Sequence, residues 1–295
     1  MNRSRIVARL GGWSFVRLQK WLQAKTPEQA DRIGTRLGRL ACRASKKHRL
    51  LTAENLARAF PEKTEQERTQ LAKDVMVHFG RIMADFMRSS GRTVEDLLAT
   101  TELSGVENLD KALAQGHGAL MISAHFGNWE RVPHMLLQLS HKVSIIARDS
   151  NDPEMTALVN KLREGSGIGL ISRGDAAFPT IKRLKNKELV ALLADQSSEE
   201  CMIPFFGVPA GTVLGPAVLA ERAKAPIVPS YCVRVGLNRY KMWIEPALEP
   251  VEGLEGAEAM MTAYNRSLEA VVRQYPEQYL WFHNKWKAAK KRGLA

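Results

Sequence analysis

A histidine and a glutamate five residues apart, His125 and Glu130, stand in the run Ala124-His125-Phe126-Gly127-Asn128-Trp129-Glu130. An imidazole that takes up a proton and a carboxylate that steadies the resulting charge are the minimum needed to make a nucleophile of a hydroxyl. The run Gly118-Ala119-Leu120-Met121-Ile122-Ser123 before them is uncharged and of strand length, and Val132 to Leu139 after them suits a helix. The histidine thus falls where a buried strand ends, where open α/β sheets bind their ligands. The glutamate falls in the first turn of a helix for which Asn128 is a suitable N-cap. Five residues along a regular helix would point the two side chains apart. A contact between them therefore needs the bend between strand and helix, and Gly127 gives that bend freedom. On this reading Glu130 accepts a hydrogen bond from one ring nitrogen and leaves the other to an attacking group. A buried histidine satisfied by a neighbouring carboxylate, with no chemistry, fits the same residues.

The elements around the pair follow from capping and periodicity. Thr26-Pro27-Glu28-Gln29 and Thr64-Glu65-Gln66-Glu67 both read as helix starts with capping boxes. Leu71, Val75, Phe79, Ile82, Met83 and Phe86 then recur at helical spacing. Beyond residue 92, strand-like runs at Ala119–Ser123, Val143–Ala147, Gly169–Ser172, Leu189–Ala194, Ile227–Val235 and Tyr240–Ile244 alternate with helical ones. The helices fall near 129–139, 153–164, 175–186, 214–223 and 256–274. This alternation predicts an α/β fold with a mostly parallel sheet flanked by helices and a helical N-terminal extension. The expected organisation is a helical region over 1–92 with a basic, amphipathic, membrane-facing segment, then one integrated core over 93–295.

Composition sets the bounds. With 295 residues, 45% of them hydrophobic, the chain can bury a sizeable core. Cys42, Cys201 and Cys232 have no metal-ligand spacing and cannot all pair, which argues for a reducing compartment. The histidines, cysteines and acids suggest no metal site. The net charge of +12 is unevenly placed. Residues 1–50 carry 13 Lys and Arg against Glu28 and Asp31, and residues 281–295 carry five basic residues and no acid. No nucleic-acid recognition motif accompanies this charge. Ile6, Leu10, Trp13, Val16, Trp21 and Leu22 are interleaved with it, as in a helix lying on an anionic membrane surface. The one uncharged stretch long enough to span a bilayer, Cys201–Ala220, is broken by Pro204, Pro209 and Pro216 and reads as loop and turn. No secretory signal is read at the start, so the expectation is peripheral attachment.

The block His125-Phe126-Gly127-Asn128-Trp129-Glu130 resembles the His-four-residues-acid motif of glycerolipid and lipid A acyltransferases. Further blocks resemble the late acyltransferases of lipid A biosynthesis, in order. They are Asn55-Leu56-Ala57-Arg58-Ala59-Phe60-Pro61, Lys161-Leu162-Arg163, Ser172-Arg173-Gly174-Asp175, Asp195-Gln196, Ile203-Pro204-Phe205-Phe206-Gly207 with Thr212, and Ala225-Pro226-Ile227-Val228-Pro229. Gln278-Tyr279-Leu280-Trp281-Phe282-His283 with Trp286-Lys287 closes the set. The resemblance covers residues 50 to 287 and departs from the family's frequent form in lacking an N-terminal membrane span.

The resemblance implies an acyl-thioester-dependent O-acyltransferase at the cytoplasmic face of an inner membrane. It would move a fatty acyl chain to a hydroxyl of a lipid A precursor. His125 would act as general base, with Glu130 orienting and charging the imidazole. Arg163 and Arg173 would serve either the thioester oxygen or acceptor phosphates. Asp195 and Asn128 are further substrate-binding candidates, and Phe205 and Phe206 would line an apolar groove for the chain. No cofactor is implied, because acyl carrier protein or coenzyme A enters as co-substrate. An acidic carrier would suit the stretch Lys182-Arg183-Leu184-Lys185-Asn186-Lys187. An acyltransferase for another glycolipid, a lysophospholipid or an aminolipid is the alternative. A thioesterase and a non-catalytic membrane-binding protein are weaker ones.

Overall fold

A computed structural model of the chain describes residues 16–89, 93–139, 142–147, 156 and 167–294. Among the described residues nine strands are formed, β1 Thr101–Ser104, β2 Ala119–Ser123, β3 Val143–Ala147, β4 Gly169–Ser172, β5 Leu189–Leu193, β6 Cys201–Phe205, β7 Val208–Thr212, β8 Ile227–Gly236 and β9 Arg239–Ile244. Seven of them build one sheet in the order β1-β9-β8-β2-β5-β3-β4, and β6 and β7 form a separate hairpin. The strands β2, β3, β4, β5 and β8 run parallel. A turn at Leu237 and Asn238 reverses the chain, so β9 and its parallel neighbour β1 run the other way.

β2 lies in mid-sheet and is buried along its whole length. Its Leu120 and Ile122 enter the apolar cluster on one face, with Val190, Ile227, Tyr231 and Leu268. Ala119 and Met121 enter the cluster on the other, with Leu109, Met135, Leu189 and Val228. A strand covered on both sides needs apolar residues at every position, which is why 118–123 carries no alternation. Its helical cover includes α5 Val106–Leu113, α6 Arg131–Gln138, α7 Ala177–Lys185, α8 Gly215–Ala223 and α9 Gly256–Gln274, with α4 Val94–Leu98 and α10 Lys287–Lys291 as short flanking turns.

Ahead of the sheet stand α1 Pro27–Ala44, α2 Lys46–Ala59 and α3 Glu65–Ser89, preceded by helical turns at 16–23. Both expected capping boxes form. The Thr26 hydroxyl accepts from Gln29 N and Gln29 Oε1 accepts from Thr26 N, and Thr64 and Glu67 repeat the exchange. α1 and α3 meet backbone to backbone, because a Cβ on Gly80 would stand 2.2 Å from the Gly34 carbonyl oxygen.

The alternating pattern matches six strands to within a residue or so at either end. The stretch 201–220 departs from its expected loop. It folds into the β6–β7 hairpin and the start of α8, with Pro204 paired to Pro209. A two-stranded ribbon tolerates such prolines because each strand has a free edge. β1 and α5 carried no expectation. Thr156 apart, the helix expected at 153–164, Arg163 within it, and the first 15 residues lie outside the described residues. No helix among the described residues is long and apolar enough to cross a membrane.

Candidate active site

His125 sits two residues beyond the end of β2, and Asp195 two residues beyond the end of β5. The two strands are parallel neighbours with Ser123 opposite Leu193. Continuing that register by two residues puts His125 beside Asp195. Asp195 Oδ1 accepts from His125 Nδ1 at 2.9 Å. A carboxylate can only accept, so Nδ1 carries the proton and Nε2 keeps its lone pair. Asp195 is 1% exposed, whereas the side chain of His125 keeps 23% of its surface open. Burial pulls the ring's pKa down, but the charge and hydrogen bond of Asp195, with the charge of Glu130, outweigh it. The net effect raises it above 6.5. Burial works against the charge of Asp195 as well, and the His125 and Lys285 charges bring its pKa below the usual carboxylate value.

The carboxylate that holds the ring is thus Asp195, where Glu130 was expected. Glu130 occupies the cap position of α6, partly exposed, and reaches the ring through its charge alone. The bend at Gly127 exists, with φ at +59°. Instead of folding Glu130 back onto the ring, it starts α6 away from it.

Four hydrogen bonds from three separate segments, the C-terminal block, β8 and α3, clamp the motif loop. Gly127 N donates to Gln278 O at 2.9 Å, Leu280 N donates to His125 O at 3.1 Å, and Asn128 N donates to Cys232 O of β8 at 2.6 Å. His78 of α3 is buried and donates Nε2–H to Gly127 O at 3.3 Å. Its pKa falls to about 3 through burial, so it remains a neutral donor. The C-terminal block is tied back in turn, since Asn55 Nδ2 donates to Trp281 O and His283 O. His283 Nε2 accepts from Ser197 N, just past Asp195.

Asn128 is not the N-cap. α6 begins at Arg131, and the Asn128 side chain is buried, donating to Asp85 Oδ2 at 3.0 Å. The same Asp85 oxygen pairs with Arg131 Nη2 at 3.2 Å, and Arg131 also donates to Thr100 and Thr101 and stacks 3.7 Å from the Tyr240 centroid. Asn128 therefore anchors the loop from behind. Phe205 and Phe206 are also committed elsewhere. Both are buried, packed on each other and among Phe60, Tyr279, Trp281 and Trp286. The rings left partly exposed near the histidine are Trp129, 5.4 Å from His125, then Phe79 and Phe282 in succession, with exposed His48 at the outer end.

Arg173 is exposed, in a 3-10 turn at the carboxyl end of β4. β4 is three strands from β2, so about 14 Å of sheet separates its end from that of β2. Arg173 stands on the ligand side of the sheet but not against the imidazole. The basic stretch 182–187 closes α7 and leads into the amino end of β5, about 20 Å from His125 along the strand.

The ring partner and Arg131 escaped sequence reasoning for one reason. Both depend on which strands and helices are neighbours, and no local pattern carries that. Asp195 did carry a signal, as an acid ending an apolar strand.

A family described as "Bacterial lipid A biosynthesis acyltransferase" matches residues 2–288. A lipid A biosynthesis acyltransferase of Haemophilus influenzae is 24% identical, over 94% of this chain and 92% of its own. The lipid A biosynthesis lauroyltransferase of Escherichia coli is 27% identical, over 90% and 88%. A phosphatidylinositol mannoside acyltransferase of Mycobacterium tuberculosis is 28% identical over 51% of this chain and 49% of its own. Among solved structures, the 1-acyl-sn-glycerophosphate acyltransferase PlsC of Thermotoga maritima aligns with 86% of this chain and 99% of its own, at 12% identity and a TM-score of 0.41. The chain belongs to the bacterial lipid A biosynthesis acyltransferases, and it is an acyltransferase.

Proposed function

We propose that this acyltransferase moves a fatty acyl chain from an acyl thioester of acyl carrier protein or coenzyme A to a hydroxyl of a lipid A precursor. The observation that carries the mechanism is the His125 Nδ1–Asp195 hydrogen bond at 2.9 Å in a partly open site. Nε2 of His125 takes the proton of the acceptor hydroxyl. The oxygen attacks the thioester carbonyl, a C–O bond forms, and the C–S bond breaks. The leaving thiolate then takes the proton from the imidazolium. Asp195 and Glu130 both lower the cost of that transient positive charge, one by contact and one through its charge. No acyl-enzyme is needed. The partly exposed rings Trp129, Phe79 and Phe282 offer the acyl chain an apolar wall beside the base. Arg173, at the far end of the sheet's ligand side, suits a phosphate remote from the reacting carbonyl. The enzyme works as a peripheral protein at the cytoplasmic face of the inner membrane. In support, no described helix is long and apolar enough to cross it.

A second acceptor class is favoured by one observation. The phosphatidylinositol mannoside acyltransferase that matches half the chain is named for a glycolipid. Labelled acyl transfer from both thioesters, offered a lipid A precursor and a mannosylated phosphoinositide side by side, separates the two. We expect acyl product on the lipid A precursor, lost in His125→Ala. Product on the mannoside alone would replace the acceptor, and thiol release without any acyl-lipid would mean hydrolysis.

A further inference from the structure

Lys285 is 2% exposed, and its Nζ has no hydrogen-bond partner. The nearest aromatic face, that of Phe205, is 5.3 Å from the nitrogen. A desolvated ammonium costs several kcal/mol unless another charge answers it. The answering charge is that of Asp195. Lys285 N donates to His283 O at 3.0 Å and His283 Nε2 accepts from Ser197 N, two residues past Asp195, so the segment bearing the ammonium is fastened beside the carboxylate, and the two charges act on each other. The His125–Asp195 geometry explains why a cation belongs here. A general base must rest neutral, and with His125 neutral Asp195 is a bare anion in the core.

We propose that Lys285 is a positioning residue for acyl transfer, whose buried ammonium balances Asp195 so that His125 rests in its neutral, proton-accepting form. This rests on the reading of His125 as the general base. The other groups facing the pair are His283, Tyr231, Tyr264 and Tyr279, and Glu130 acts on His125 from the α6 side. Burial drives all three tyrosine pKa values up, so they stay neutral through the working range. Burial drives that of His283 down. Lys285 itself is brought to about 8 by burial against the pull of Asp195, and so carries its charge at neutral pH. Removing that charge leaves Asp195 and Glu130 unopposed, and the imidazole then holds its proton to higher pH.

The test is the pH dependence of kcat and kcat/KM in the full chain for wild type, Lys285→Met, Lys285→Arg and His125→Ala. Circular dichroism would verify the fold of each. We expect Lys285→Met to move the acid limb of kcat upward by about one pH unit, a tenfold loss on that limb, with KM for both substrates little changed. Lys285→Arg should return the limb toward wild type. An unmoved limb, or a raised acceptor KM with the limb in place, overturns the proposal, the second because it makes Lys285 a substrate ligand. Activity surviving in His125→Ala would instead remove the reading beneath it. If Lys285→Met does not fold alone, the Lys285→Met/Asp195→Asn double variant decides. Deleting both charges should restore folding, with kcat equal to that of Asp195→Asn. A further independent drop in kcat, or a double variant that stays unfolded, contradicts the pairing.

Discussion

At the residue scale, the proton on Nδ1 decides what His125 can do. Asp195 Oδ1 accepts that proton, with the two heavy atoms 2.9 Å apart, and Nε2 thereby keeps its lone pair in a side chain that is partly open to solvent. Two carboxylates act on this imidazole, and their contributions differ in kind. Asp195 fixes tautomer and orientation, while Glu130 adds field. Asp195→Asn should therefore lower kcat by about 10²- to 10⁴-fold, and Glu130→Gln by less. The pH dependence separates them further from a change of fold. The ring's pKa is raised above 6.5 in the folded protein, so activity should fall as pH drops through that raised value. In Asp195→Asn the burial effect is left with less opposition, and the residual acid limb should shift to lower pH. A limb that stays in place in Asp195→Asn would mean that another group titrates in turnover.

At the element scale, the site is a consequence of strand register. β2 and β5 are neighbours with Ser123 opposite Leu193, and both chains leave the sheet two residues before their functional side chain. The end of β2 and the helix after it were legible in the sequence because an uninterrupted apolar run, a glycine and an amphipathic stretch are local signals. The pairing of β2 with β5 was not. Residues 124–188 separate the two strands, and an apolar run shows that a strand is buried but not who its neighbour is. For the same reason Glu130, close in sequence, looked like the ring's partner, and Phe205 and Phe206 looked like a groove. Only packing reveals that the β6–β7 hairpin turns those two rings inward. Two substitutions test the elements that hold the loop. Gly127→Ala must adopt φ near +59° and place its Cβ 2.0 Å from Cys232 O, so backbone movement at the motif is forced. We expect a loss of about 1–3 kcal/mol in urea denaturation and a fall in kcat. Arg131→Met leaves Asp85 beside β1 without its guanidinium. The expected cost of about 3–5 kcal/mol would show as a lower denaturation midpoint, with the pH profile of the surviving activity unchanged.

At the scale of the whole molecule, charge and apolar surface gather at one part of the chain. α1 exposes Arg32, Arg36, Leu37, Arg39, Leu40 and Arg43, and Leu50 is exposed on α2. The opposite face of α1 packs on α3 through Gly34, Gly38 and Gly80, and α3 in turn supports Gly127 through His78. The exposed basic and apolar surface, the one proposed to meet anionic lipid, is thus mechanically continuous with the loop that carries His125. Flotation with anionic vesicles at low salt should recover the protein, and about 0.5 M salt or the double change Arg36→Glu/Arg39→Glu should release much of it. Binding indifferent to both would assign attachment to another surface.

The proposed mechanism has the His125–Asp195 pair drive acyl transfer to lipid. Its most direct test is single-turnover transfer of a radiolabelled acyl chain from a thioester to a lipid A precursor, across pH 5 to 9, in wild type, His125→Ala and Asp195→Asn. Wild type should show an acid limb above pH 6.5, His125→Ala no measurable acyl-lipid, and Asp195→Asn a slow reaction with a downshifted limb. Full-rate transfer in Asp195→Asn with the wild-type limb would contradict the mechanism, because the base would then owe nothing to its buried partner.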